Sequence, residues 1–476
     1  MRYPLVGART APAAEGDRVS FGFPELAAIR LGYGLSPLMP PAPDVEALLA
    51  GVADAGPARD AMTTAMARAM TMELRDARKR RDEAPSEEAE QAFKAINTRL
   101  GLVPIHDLRD RIARAVDDDT GFGERLVQFW ADHFTVISAG SATHPLAVAF
   151  VDEAIRPHIA GRFEQMFFAA DTHPMMLTYL NQSQSRGPNS EFVRRRPKQE
   201  LGLNENLARE AMELHSLGVD AGYTQADVRQ LAELLTGMEY TANLGFRYRA
   251  DVAEPGAETV LGRSYGGHRR GGMEDIRAAL TDIARRPETA RHLSRKLAVH
   301  FVSDRPGEDL VNELTAVWLD TQGDLPSVYR VLATHPDLAS DLRQKVRQPF
   351  EMVVAALRAL GISGARLADL EDRQLRQSFW GPMIAMGQPW GRPIGPDGWP
   401  EQAESWIAPQ MLAARINWAM QMPRALLARE LPDPRQMLVS TFGGTQSAQL
   451  AWAVPRAESA AEGIALILAS SDFNRR

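Results

Sequence analysis

The chain contains no cysteine. Disulfides, thiolate nucleophiles, zinc ribbons and iron–sulfur clusters are therefore excluded, and the absence suits an oxidising compartment without requiring one. Long hydrophobic runs are missing too. No stretch approaches the roughly 18 apolar residues needed to cross a bilayer. Basic charge is in deficit, with 54 Lys and Arg against 61 Asp and Glu and a net charge of −7. Wholesale binding to nucleic acid or to an anionic membrane depends on basic surface, so neither partner is expected. The N-terminal residues Met1 to Pro12 lack the continuous apolar core of a signal peptide, which reads as an unprocessed chain, cytoplasmic by default with export left open. Neither a phosphate-binding loop nor a dinucleotide fingerprint is found, and a Ser-His-Asp hydrolase is not expected.

What is present has the balance of a globular protein: 45% hydrophobic and 24% charged over 476 residues, long enough for two or three structural units. No internal repeat and no strong linker divides it. The chain reads as one unit, 1–476, with sub-units 1–115, 116–380 and 381–476. Apolar spacing of three and four predicts helix over most of the length, hence an all-α, multi-helix fold. The Pro-rich stretch Leu38–Asp44 interrupts it, and Glu73 to Glu90 alternates in sign like a solvated helix face. Asp117-Asp118-Asp119 is expected to cap the helix carrying Phe129, Trp130, His133 and Phe134 rather than to hold calcium. A polar loop runs from Asn181 to Gln199, where Arg194-Arg195-Arg196 reads as a solvated patch before an anion site. Thr224 and Asp227 form a variant capping box, and Gly237 ends that helix. Between about 239 and 265 the period shortens towards two, predicting a small β-hairpin insertion. Gly387 to Trp399 holds too many prolines and glycines for helix or central strand.

The densest chemistry lies in Leu203–Gly218, expected as one helix. Asn206, Arg209, Glu210 and Glu213 fall within about a third of its circumference, opposite Leu207, Ala211 and Leu214. One reading is a surface helix with spaced charges, the Arg209–Glu213 pair contributing a few tenths of a kcal/mol. The other is an inward cluster in which two carboxylates divide acid and base roles or hold a hard cation. His215 falls on a different face, so a single helix cannot bring it to one metal with Glu210 and Glu213. His133 and His300 stand on aromatic-rich helices and read first as satisfied core residues.

Taken in order, several segments resemble the bacterial family catalogued as domain of unknown function 1800. The resemblance rests on Trp130 with His133-Phe134, on Asn204-Glu-Asn-Leu-Ala-Arg-Glu-Ala-Met-Glu-Leu-His-Ser-Leu-Gly218, and on Tyr223 to Val228 with Leu235-Thr-Gly237. Lys296-Leu297, Phe301-Val302, Asp304, Pro349, Glu351, Arg358, Gly387-Gln388, Pro396, Gly398-Trp399 and Ser470 to Phe473 continue it, so that it covers nearly the whole chain. The resemblance implies a largely helical protein whose gene neighbours include a sulfatase-like companion. It implies no activity, cofactor or metal. In one place the chain departs: relatives carry a His-Asp pair and then a Lys where Ala250-Asp251 and Glu258 stand here. A family pattern rich in Asn, Arg, Glu and His favours the inward cluster. The expectation is an enzyme with a pocket of His133, Asn204, Asn206, Arg209, Glu210, Glu213 and His215, acting on a polar or anionic, sugar- or peptide-like substrate. The alternative is a non-catalytic binding or scaffold partner of the sulfatase-like companion.

Overall fold

The computed structural model describes residues 22–58, 61–267, 272–340, 342–427 and 430–476. The segment Met1–Pro12 considered above lies outside them. Helix accounts for 61% of the residues, and strand among the described residues is confined to two antiparallel two-stranded hairpins. The all-α expectation holds because the local signals agree with the tertiary packing.

Two long helices, α1 (Thr64–Glu83) and α2 (Glu87–Asp117), pack together after a turn at Ala84-Pro85-Ser86. The Ser86 hydroxyl accepts the Ala89 N–H at 3.1 Å and starts α2. The charged run Glu73–Glu90 is thus shared between two helices rather than lying on one face. Next comes α3 (Phe122–His133). Its first turn is satisfied by Asp118, whose carboxylate accepts the N–H groups of Thr120 at 3.1 Å and Glu124 at 2.8 Å. That aspartate caps, as its spacing predicts. Then follow α4 (His144–Phe150), a π-helical turn over Val151–Ile155, α5 (Phe163–Asp171) and α6 (Asn206–Glu213).

The helix Gln225–Leu234 opens on the reciprocal Thr224–Asp227 box, the Thr224 hydroxyl accepting at 3.2 Å and the Asp227 carboxylate at 2.9 Å. The period-two region yields two hairpins instead of one. β1 (Met238–Thr241) pairs with β2 (Gly245–Tyr248), and β3 (Ala257–Val260) with β4 (Arg263–Gly266). α7 (Pro287–Phe301) and α8 (Pro349–Ala359) both place proline in the first turn, where its missing N–H costs nothing. α9 (Pro409–Leu426) and α10 (Ala460–Ala469) pack on each other near the end of the chain.

Apolar side chains gather into two large clusters. The first draws on α3, α5, α6 and α7 and includes Trp130, Phe134, Phe163 and Phe301. The second joins the C-terminal half of α2 to α8, α9 and α10. Every residue of α8 is buried, so its one carboxylate, Glu351, must be paired inside the protein. Arg125 of α3 reaches it at 3.2 Å, and Arg476 contacts it at 2.9 and 3.1 Å. This ion cluster bridges the elements of the two apolar clusters.

Candidate functional site

The Leu203–Gly218 segment is not one helix. Its helical part, α6, stops at Glu213, because the N–H groups of Leu214 and His215 both turn back to the Glu210 carbonyl. The Ser216 hydroxyl then caps the Ala211 carbonyl. Gly218 completes the stop with φ +91°, its N–H on the Met212 carbonyl at 3.2 Å. A Cβ there would stand 2.8 Å from His292 Nδ1. His215 lies beyond this stop. There it lies in the interior beside Asp171 of α5, Nδ1 to Oδ1 at 2.8 Å.

The polar face of α6 therefore divides in two. Arg209 faces outward, bound to Glu213 at 3.0 Å, Gln225 at 3.1 Å and Glu205 at 3.4 Å, with its side chain 40% exposed. Asn206 is exposed. Asn204 works locally, its amide donating to the Leu180 carbonyl at 2.8 Å and its oxygen accepting the Asn206 N–H at 3.0 Å. For Arg209 and Glu213 the surface-network geometry prevails over the inward one. Glu210 is different. Half-buried, it is pushed above the ordinary carboxylate range by burial and by Glu213 and Asp171, with His215 opposing. Tyr179 is raised by burial and then by the Glu210 and Asp397 charges.

His133 lies fully inside, its Nε2 donating to the His215 carbonyl at 3.2 Å and its Nδ1 without a hydrogen-bond partner. Burial, then the Lys296 charge, holds it well below the usual histidine value, so it is neutral at pH 7. His292, Lys296 and His300 recur every four residues along α7 and share one stripe. That spacing was the signal available for finding them. His292 is lowered to about 4 by burial and Lys296. The His300 Nδ1 contacts Glu401 at 2.6 Å, and Lys345 contacts the other Glu401 oxygen at 2.8 Å.

Beside His133, Asp132 points the other way. Its two carboxylate oxygens receive the Trp399 N–H at 3.1 and 3.2 Å. The close approach depends on Gly398, at φ +82°: a Cβ would meet the Asp132 carbonyl at 2.7 Å and its carboxylate at 2.8 Å. Burial, then the Glu401 charge, raises Asp132 to about 8. Lys296 is lowered by burial, while Asp132, Glu401 and Asp397 pull the other way. The same burial thus pushes the aspartate up and the lysine down, each towards its neutral form. Asp132 also lines a cavity of about 170 Å³ that Gln128, Asp107, Arg111, Trp390 and Trp399 enclose. The Trp-rich loop supplies one wall, with Trp390 Nε1 donating to Asp107 at 2.7 Å.

Other sequence candidates resolve differently. Arg195 pairs with Glu191, Arg194 donates to the Asn189 carbonyl and Arg196 lies over the Phe192 ring at 3.8 Å. Gly262–Gly266 spells Gly-x-Ser-x-Gly, but it runs through the β3–β4 hairpin with Ser264 exposed, not a strand-to-helix elbow. Among the described residues, no group of three His, Asp or Glu is arranged to hold a metal ion.

The fold is a largely helical scaffold in which titratable side chains from α3, α6, α7 and one irregular loop are wholly or partly buried. The model of the family described as protein of unknown function (DUF1800) matches residues 27–475, and the chain belongs to that family. No curated protein and no solved structure matches the chain. No helix among the described residues is long and apolar enough to cross a membrane.

Glu258 is buried against Glu233, with Glu254 nearby, and burial followed by the Glu233 charge raises it to about 7. Because its folded value exceeds the unfolded 4.5, the folded state holds a proton that the unfolded chain releases. Stability should fall as pH rises from 4.5 to about 7. Glu258→Gln removes the titration, so its denaturation midpoint should gain on the parent across that window. Equal pH slopes in urea titrations would refute the assignment.

Proposed function

We propose that this protein is an enzyme whose proton-transfer chemistry is carried by Asp132 on the wall of the 170 Å³ cavity, with Lys296 as its electrostatic partner. The observation that carries the reading is Asp132 on the wall of a cavity, held by the Trp399 N–H at 3.1 and 3.2 Å, with its carboxyl raised and Lys296 lowered by partial burial. Environments that push two titrating groups out of their usual ranges are how one site holds an acid and a base at pH 7. The substrate of this reading is polar or anionic, sugar- or peptide-like, and meets Gln128, Arg111 and the Trp390 and Trp399 rings that line the cavity with Asp132. His133 and His215, anchored by Asp171, act as positioning residues; Asn204, Asn206, Arg209 and Glu213 belong to the outer support of α6.

The test needs no substrate. Reductive methylation with formaldehyde near neutral pH, mapped by mass spectrometry, should modify Lys296 ahead of Lys79 and Lys94, whose side chains are 69% and 70% exposed. An ordinary lysine is almost wholly protonated there and reacts slowly. If Lys296 is modified only in parallel with the exposed pair, the reading fails. The second reading, a scaffold partner of a sulfatase-like companion, draws on the apolar cavity of about 630 Å³ beside Ile416, Met420 and Leu466. Co-purification with that companion, lost in Met420→Glu, would favour it.

A further inference from the structure

Arg347, just before α8, is 4% exposed and forms no ion pair with any carboxylate among the described residues. Its Nε and Nη1 are sealed in the interior without a hydrogen-bond partner. Nη2 makes no hydrogen bond among the described residues either. Burial lowers Arg347 to about 10, with Glu351 opposing and Arg476 adding to the fall. Glu351 cannot serve as its direct partner, because Arg125 and Arg476 already hold both carboxylate oxygens. A buried guanidinium left in this state is costly unless something completes it.

The same arginine lines a small cavity of about 10 Å³, which shares no residue with the Asp132 cavity. That is room for one water-sized species. Tyr33 and Thr441 line it too, and the hydroxyl of each is buried without a hydrogen-bond partner. Thr441 stands on the helix Pro434–Phe442 and is 6% exposed. Gly34, at φ +96°, faces the guanidinium: a Cβ there would lie 3.8 Å from Nη2, so the missing side chain leaves that edge uncovered. One carboxylate belongs to the lining, Asp472. It is engaged elsewhere, accepting the Ser447 N–H at 2.6 Å and facing Arg343 at 3.7 Å.

We propose that this cavity binds a monovalent anion of the size of chloride, held between the Arg347 guanidinium and the Thr441 hydroxyl. The ion supplies the counter-charge that no side chain gives Arg347, through charge-assisted hydrogen bonds. Volume sets the class, since phosphate or a carboxylate on an organic body is larger than the space. The Asp472 charge in the wall further disfavours a dianion. Bound there, the ion braces Gly34 and the start of α8 against the helix Pro434–Phe442. This site stands whether or not Asp132 and Lys296 carry chemistry, since its readout is ion binding alone.

Thermal unfolding of the full chain in sodium chloride and in sodium gluconate, each at about 0.2 M so that screening is equal, tests it. Gluconate is too large for the cavity, so the midpoint should stand roughly 1–3 °C higher in chloride, the mass-action gain of an ion that binds only the folded state. Arg347→Gln should abolish that difference. Thr441→Val keeps the shape, removes one hydrogen bond to the ion and should roughly halve the difference. If Arg347→Gln fails to fold, Thr441→Val carries the comparison alone. Crystals grown in sodium bromide should show an anomalous-scattering peak between Arg347 and Thr441, which a water molecule cannot give. Equal midpoints in the two salts, a chloride response unchanged in Thr441→Val, or no bromide peak in the cavity would each overturn the proposal.

Discussion

Glu351→Ala is expected to cost about 3–5 kcal/mol of folding stability, the usual price of breaking a buried ion pair by removing one partner. The carboxylate sits at 4% exposure on the fully buried helix α8. It accepts from Arg125 at 3.2 Å, from Arg476 at 2.9 and 3.1 Å and from the Gln348 N–H at 3.2 Å, with His300 Nε2 at 3.7 Å. Alanine would leave the guanidinium groups of Arg125 and Arg476 inside the protein without their counter-charge. Burial already lowers Arg125 to about 9, even with Glu351 present. Glu351→Gln keeps the shape and one acceptor oxygen, so its loss should be smaller. Urea denaturation followed by circular dichroism measures both, and a change below about 1 kcal/mol for alanine would refute the account.

The same residue sets an acid sensitivity. Burial acts to raise Glu351, but Arg125 and Arg476 outweigh it and hold the carboxyl well below the ordinary range. A group whose folded pKa is depressed contributes stability above its unfolded value, about 4.3, and loses it as pH falls towards the folded value. The parent should therefore lose stability below about pH 4.3, and Glu351→Ala should show a shallower acid slope there.

The second large effect is expected at Asp132. Asp132→Asn retains an oxygen for the Trp399 N–H but removes the carboxylate that favours the charged form of Lys296. The midpoint of Lys296 methylation should then shift to lower pH, with Lys79 and Lys94 unmoved. Any turnover that uses Asp132 as an acid should fall by a factor on the order of 10²–10⁴. A variant that loses stability yet leaves the Lys296 profile in place would mean that the two groups do not share a site. A shifted profile with turnover intact would mean that they share one without doing the chemistry.

These expectations were unequally visible in the amino-acid order. Asp118, Ser86 and the Thr224–Asp227 box could be assigned because a cap needs only a side chain and an N–H a few residues away. The His292, Lys296 and His300 stripe is equally local, two imidazoles and an ammonium at a spacing of four. The end of α6 was harder. Nothing in Glu213-Leu214-His215-Ser216 forbids another helical turn, and the stop depends on Gly218 packing against His292. That contact joins α7 to the turn after α6, and no periodicity can report it.

Sequence by itself determined the helical class, the boundaries that caps and prolines impose, the exclusion of thiol chemistry, and the segment on which attention should fall. All of these follow from covalent composition or from interactions between near neighbours. Only the tertiary structure decided which polar groups face each other. It turned Arg209 and Glu213 outward while leaving Glu210 half-buried one residue away, and it set His215 on Asp171 and Asp132 on the Trp399 N–H at the cavity wall. The reason is that a group's charge state depends on burial and on partners brought from distant helices.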